Sequence, residues 1–456
     1  MSTSGITFSG LSSGLDTKAI IQQLVAIEHR PIDKLNQRKA LLGKQRGLLG
    51  DLETRLKALK TAADDLRSTG KFLEFKTAVD ETGFFTATAS GDASKGTYTI
   101  KVNALATAKQ SATNGFADKD TTAQGSGTID ITVGSTTKSI TIDNSNNTLQ
   151  GIANAINQAD AGVSAAVINT GSATNPYKLV VTSRDTGTAN AFTIANTDGG
   201  LATVVGQLNT AGAANQIVAA ADASFTVNGL QLTRSSNTVA DAIPGVTLTL
   251  TGVHPGATNP DSVLTVSTDA SAVSDKVKKL VDAYNAVVSF VKDQSTVDSS
   301  GKAASPLFGD STLASVRSTL RELMGKSVDT GNESYALLSQ VGITADRDGL
   351  LTFNADKFKT AIDSDETAVQ NLFTKAGSGI AQTLYARTDG LTDTADGVFA
   401  ARRQGIDRKT QDIDRQVRLG EARLTDYQTR LTMKYAAMEA AVGRLKAMGQ
   451  SMGINF

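Results

Sequence analysis

Residues 42–66, LGKQRGLLGDLETRLKALKTAADDL, carry the reading that decides the fold. Leu42, Leu49, Leu56 and Ala63 recur every seven residues, offset by three from Leu52, Leu59 and Leu66. Alternating steps of three and four put these side chains on one stripe of a helix, and such a stripe has to be buried against other helices. A second ladder stands near the other end of the chain, where Val417, Leu424, Leu431, Met438 and Leu445 keep the same period. It is offset by three from Gly420, Tyr427, Lys434, Ala441 and Met448. The two ends therefore belong together in space, and everything between them is an insertion. Gly420 and Lys434 interrupt one C-terminal stripe, which weakens autonomous pairing and suits a seam completed by partners.

Upstream of the first ladder, Asp16 or Thr17 is placed to cap a helix carrying Ile20, Ile21, Leu24 and Ile27, which is expected to stop near Pro31. The ladder from Ile32 to Leu66 would then reach ~50 Å. That exceeds what a small domain needs, so part of it is expected to pack against something outside its own fold. Residues 1–16 hold only isolated apolar positions (Ile6, Phe8, Leu11, Leu15), too sparse to hold structure alone.

Downstream the texture changes. No glutamate occurs between Glu81 and Glu322, and the stretch is filled with Thr, Ser, Asn, Ala, Gly and Val, a composition that favours strands and turns. GFFTATAS (83–90) and GTYTIKV (96–102) alternate as strands. Two later segments share one logic: GTIDITV and KSITID lead to Asn147-Thr148 and LQGIANAIN, while ASFTV and LQLTR lead to Asn237-Thr238 and VADAI. Each reads as a hairpin delivering the chain to a polar helix cap. VSAAVIN, YKLVVTS, VTLTLTG and SVLTVST continue as strands, with the break between the two modules expected at 196–215. Helical spacing returns with Val277, Leu280, Val281, Tyr284, Val287 and Val291, then Leu313, Val316, Leu320 and Leu323. GITADRDGLLTFN reads as a hairpin, after which Asn354 and Ser364 cap two short helices, and the final helix begins near Ala400.

The chain has 456 residues, with 45 Lys plus Arg against 45 Asp plus Glu, so no net field steers it to nucleic acid or an anionic membrane. It has no Cys, which removes disulfides, thiolate metal sites and a cysteine nucleophile together. No run approaches the ~20 apolar residues of a membrane span. MSTSGITFSG lacks the basic-then-apolar profile of a cleaved leader. Taken alone that points to the cytoplasm, whereas the Thr- and Ser-rich middle is the texture of surface appendages. Export, if it occurs, would use a route that reads no cleaved leader.

Candidate chemistry is thin. Asp346-Arg347-Asp348-Gly349 looks like part of a calcium loop, yet aligning its glycine puts Thr344 at the first ligand position and Ala355 where a bidentate Glu is required. A tight hairpin turn is the better reading. His29 and His254 stand far apart without acidic or cysteine neighbours at ligand spacing, and His29 reads as a helix-surface residue. No nucleophile elbow, Walker loop or dinucleotide fingerprint is present. A carboxylate-pair glycosidase would have to draw on turn aspartates such as Asp143, Asp185, Asp198 and Asp241. Nothing calls for an enzyme, a cofactor or a metal. The basic residues at 402, 403, 408, 409, 415 and 418 read as a solvated helix face.

GLSSGLDTKAIIQQLVAIEHRPIDKL at the start resembles the opening signature of the bacterial flagellar filament-cap family, hook-associated protein 2. NTLQGIANAINQADAGVSAAVIN with YKLVVTSRDTG is similar to a motif shared by flagellin and hook-associated proteins. SFTVNGLQLTRSSNTVADAIPGVTLTL, then VKKLVDAYNAVVSFV, resembles the cap family's second domain and the start of its helical leg.

The resemblance implies an α+β multidomain chain with helical coiled-coil termini, a helical leg and two nested, inserted β-rich head domains. Residues 1–42 would pair with 403–456. The leg would comprise 43–80 and 271–402, the first head 81–112 and 213–270, and the second head 113–212. It further implies a structural cap at the distal filament tip, exported by the flagellar apparatus with a dedicated chaperone. There a homo-oligomeric ring, with a pentamer as first guess and a tetramer or hexamer as alternatives, would promote folding and insertion of flagellin. Hook-filament junction proteins would be further partners. Both chain ends, 1 to about 40 and from about 405 onward, would be disordered alone and ordered on assembly. Interface positions carried over are Leu24, Ile27, Leu35, Leu42, Val417, Leu424, Leu431, Met438 and Leu445. Alternatives are an adhesin binding host mucin or glycans through loops 171–176 and 254–261, a hook-filament junction component, and last a glycosidase.

Overall fold

The computed structural model describes residues 14–209, 215–256 and 261–451. Ile6, Phe8 and Leu11, and the 257–260 part of one candidate loop, lie outside the described residues. Two compact units divide the chain, one formed by 1–68 with 274–456 and the other by 69–273.

The first unit is dominated by two long helices, the N-helix Thr17–Asp64 and the C-helix Val398–Ser451. Asp16 starts the N-helix, its Oδ1 accepting the Ala19 N–H at 2.9 Å. The helix runs straight through the expected stop at Pro31. Proline deletes one ladder hydrogen bond, but the adjoining Ile32 is buried against Gly420 of the C-helix. Packing of that kind, rather than local propensity, carries most helices in proteins. The two helices are antiparallel, because Lys39 pairs with Asp414 (2.5 Å), Arg46 with Asp407 (2.9 Å) and Glu53 with Arg403.

Every member of the N-terminal ladder from Leu42 to Leu66 is buried. Helices Ala270–Gln294, Ser311–Met324 and Ile380–Thr392 also contribute buried side chains, among them Val287, Val316 and Leu384. Phe358 sits edge-on to Phe353 and Phe373, with ring centroids 5.6 and 6.2 Å away. The expected hairpin forms from Ile343–Ala345 and Leu351–Phe353. Ser364 closes the helix Ala355–Ser364 instead of capping the next one. Asp365 takes that role, its carboxylate accepting the Ala368 N–H at 2.9 Å.

The second unit contains two β-rich modules. In the outer one a five-stranded antiparallel sheet runs in the order 75–79, 262–268, 96–104, 223–227, 230–234. A three-stranded sheet, 238–243, 246–250 and 85–89, shares its core of Phe85, Ile100, Phe225, Leu248 and Leu264. The inserted module pairs a four-stranded sheet (216–218, 110–112, 177–183, 163–169) with a three-stranded one (136–142, 127–133, 192–196). Helices Leu149–Gln158 and Ala202–Asn209 fill it with Leu149, Ile152, Ile156 and Leu208.

Three expectations change here. Strand Phe75–Val79 pairs with Ser262–Thr268, so the stretch 43–80 is not helical to its end and the sheet begins before 81. Strands 110–112 and 216–218 belong to the inserted module's sheet, widening the insertion beyond 113–212. Three-residue strands carry too little alternation to be seen in sequence. Finally, VADAI is the strand Thr238–Ile243, not a helix. Asn237 does not cap it. Its side chain instead binds the backbone N–H and C=O of Ala106 at 2.7 and 2.9 Å, while Thr148 does cap Leu149–Gln158 as expected.

Candidate functional site

Most of the residues weighed for chemistry are occupied structurally. Asp346 accepts the Leu350 N–H at 2.8 Å and Asp348 pairs with Lys292 at 2.8 Å, so the DRDG turn spends its carboxylates on the hairpin and a neighbouring helix. Asp143 binds the Ser145 hydroxyl and N–H, and Asp241 binds Arg234, contacts that hold both carboxyls below their ordinary range. A general acid needs the opposite shift. Asp198 accepts the Thr128 N–H at 2.8 Å. His29 lies on the N-helix surface, 3.0 Å from Asp33.

His254 is buried. Its Nδ1 accepts the Val102 N–H at 2.9 Å, which leaves the proton on Nε2 for Ser262 Oγ at 2.9 Å. The ring stacks on Phe84 at 3.9 Å. Burial pushes its pKa down, so it is a neutral core group. Among the described residues no cluster of His, Cys, Asp or Glu is placed to hold a metal ion, and no helix is long and apolar enough to cross a membrane. The loop 171–176 is exposed or half-buried.

What the chain does present is an incomplete helical seam. The ladder of the N-helix is consumed inside its own unit, and Leu42, expected at an interface, is buried there. It lies between Lys39 and Arg46, whose ion pairs to Asp414 and Asp407 tie this part of the helix to the C-helix. The C-terminal ladder behaves differently: Val417, Leu424, Leu431 and Met438 are half-buried, and Leu445 is 63% exposed. Leu419, Met433 and Met448 are exposed as well. After Ile413 no described aliphatic side chain of the C-helix is buried. On the facing helix Leu24 and Leu35 are half-buried, and Ile27 is 53% exposed.

The geometry of the pair explains this division. Ion pairs and leucine packing clamp residues 39–53 to 403–414. Among the described residues only these two helices continue towards the chain ends, and a heptad stripe on a two-helix pair stays partly open unless a further helix covers it. At Gly420 a Cβ would lie 3.1 Å from Ile32 Cγ1, so the glycine that interrupts the ladder admits the closest approach of the pair. Beside it opens a cleft of about 340 Å³ lined by Glu28, Pro31, Ile32, Arg423, Leu424, Tyr427 and Arg430. Sequence reasoning missed this cleft, since it arises from a cross-helix register that no periodicity reveals.

Comparison with known proteins bears on what the seam is for. The family model described as flagellar hook-associated protein 2 N-terminus matches residues 13–109, and that for the C-terminus of the same family matches 220–447. The two matches bracket the inserted module. The B-type flagellar hook-associated protein 2 of Pseudomonas aeruginosa is 33% identical over 411 residues, covering 86% of this chain and 85% of that protein. The flagellar hook-associated protein 2 of Escherichia coli K12 is 30% identical over 456 residues, covering 97% and 96%. The crystal structure of the D1-D2-D3 domains of the flagellar cap protein FliD from Escherichia coli resembles this fold with a TM-score of 0.67 and 32% identity. It spans 79% of this chain and 99% of that one.

Proposed function

This chain belongs to the flagellar hook-associated protein 2 family, and from that premise we propose that it caps the distal tip of the bacterial flagellar filament. Its role is structural: an oligomer seated on the flagellin filament outside the cell, required for filament elongation and motility. The observation that carries the reading is the match of 79% of the chain to the D1-D2-D3 domains of a flagellar cap protein.

Several finer statements belong to the proposal. The oligomer is a closed ring, with five copies as the number to be tested. It promotes folding and insertion of arriving flagellin and prevents its loss. The chain reaches the tip through the flagellar export apparatus with a dedicated chaperone and without a cleaved leader, and it performs no enzymatic step. The working domains are the terminal helix pair, the helical leg and the two nested β-rich heads. The partly open stripe of the C-helix, half-buried from Val417 to Met438 and exposed at Leu445, supports this reading because a helical partner would cover it. Immunogold imaging of filament ends tests the location, and gene deletion tests the role. Gold confined to tips, with loss of swimming and release of unpolymerised flagellin in the deletion strain, is expected. Gold along the filament, or normal filaments in the deletion strain, would overturn it.

A further inference from the structure

The neutral overall charge conceals a separation. Residues 17–50 and 402–451 together hold 18 of the 45 Lys and Arg but only 8 of the 45 Asp and Glu. The rest of the chain is correspondingly acidic, with 27 against 37. Of these eight carboxylates Asp407 pairs with Arg46, Asp412 with Arg415 and Asp414 with Lys39, while Arg402 and Arg403 pair with Asp310 and Glu53 outside the two segments. Arg423 and Arg430, one heptad apart on the C-helix, have no carboxylate within ion-pair distance among the described residues. Both line the open cleft, flanking Leu424 and Tyr427, with Glu28 the single carboxylate on its wall.

We propose that the terminal helix pair is a cationic seat for an amphipathic helix of net negative charge supplied by a different polypeptide. Its apolar stripe lies on Leu424 and Tyr427, and its flanking carboxylates meet Arg423 and Arg430. Opposite charges beside a heptad seam select the partner and its register. A second copy's terminal pair is disfavoured as the occupant, since it would bring the same positive excess against this one. The inference rests on the cap reading only in taking the seam as a contact surface.

The full-length protein is titrated with two synthetic four-heptad peptides of equal apolar content, one with Glu and one with Lys flanking the apolar stripe, by fluorescence anisotropy. The acidic peptide is expected to bind at least about tenfold tighter, and its affinity to fall with added salt. In Arg423→Glu/Arg430→Glu the preference is expected to reverse. Arg423→Gln/Arg430→Gln should lose the preference without reversing it, and circular dichroism checks that both variants remain helical. Equal affinity for the two peptides, no binding of either, or an unchanged preference in the variants would overturn the proposal. So would self-association of the wild type that Arg423→Glu/Arg430→Glu abolishes, which would identify a second copy as the occupant. Tip location is read separately by imaging, so failure here leaves the cap reading standing.

Discussion

At the scale of single residues, His254 shows how a titratable group can be wholly structural. Both ring nitrogens are satisfied inside the outer β module, by Val102 and Ser262, and burial lowers its pKa below the ordinary 6.5. Above that value the ring is neutral in the folded and the unfolded chain alike. As pH falls below it the unfolded chain takes up the proton first, so stability is lost until the folded ring also titrates. Urea denaturation of the module's signal should show this decline from neutral pH downward. In His254→Phe the decline from this group should vanish. At neutral pH that variant should be weaker by about 1–3 kcal/mol, because the Val102 N–H and Ser262 hydroxyl lose their partners. Wild-type stability that is flat through this range would contradict the assignment.

At the scale of elements, two helices with the same period do different work. Leu52 and Leu56 are fully buried in the N-helix. Leu56→Ala should cost about 2–5 kcal/mol by leaving a cavity, measured by chemical denaturation of the purified chain. Leu445, mostly exposed, should tolerate alanine within about 0.5 kcal/mol, yet Leu445→Ala should shorten filaments in a complemented deletion strain. Equal stability losses at the two sites would contradict the division of labour. Both ladders were legible in the sequence, as was the expectation that the two ends belong together, because a heptad stripe is a purely local signal; their antiparallel sense comes from the ion pairs. The sequence pattern could not show that one is covered and the other open, since that depends on the neighbouring helix Ile380–Thr392, to which the N-helix is tied by Lys60–Asp389 at 2.5 Å. The same limit explains two errors. Local sequence predicts a stop at Pro31, whereas the helix continues with Ile32 buried against Gly420, 388 positions away in the chain's other half. Asn237 has the residue type of a helix cap, so the sequence predicts a helix after it, whereas its side chain binds Ala106 across the module and a strand follows.

At the scale of the whole molecule, the inserted module is latched to the outer one at a small junction. Thr188 donates from its N–H and hydroxyl to Asp222 at 2.7 and 2.8 Å, and the Thr186 hydroxyl donates to the Ser235 carbonyl at 2.7 Å. Gly187, at φ +99°, lies so close that an added Cβ would sit 2.5 Å from Ser235 Cβ. Asp222→Ala should therefore raise protease sensitivity near 184–190 while both β cores stay folded, and unchanged cleavage would count against a latch. The chain's two ends carry the larger claim. Removing residues 414–456 should leave the β-rich unit folded and abolish filament growth, because the open seam is what the filament would contact. Hydrogen exchange, compared between the free protein at low concentration and capped filaments, tests this most directly. The account predicts rapid exchange across 414–449 in the free chain and protection on the filament, with 42–66 protected in both. Protection of 414–449 that is already complete in the free chain would contradict it.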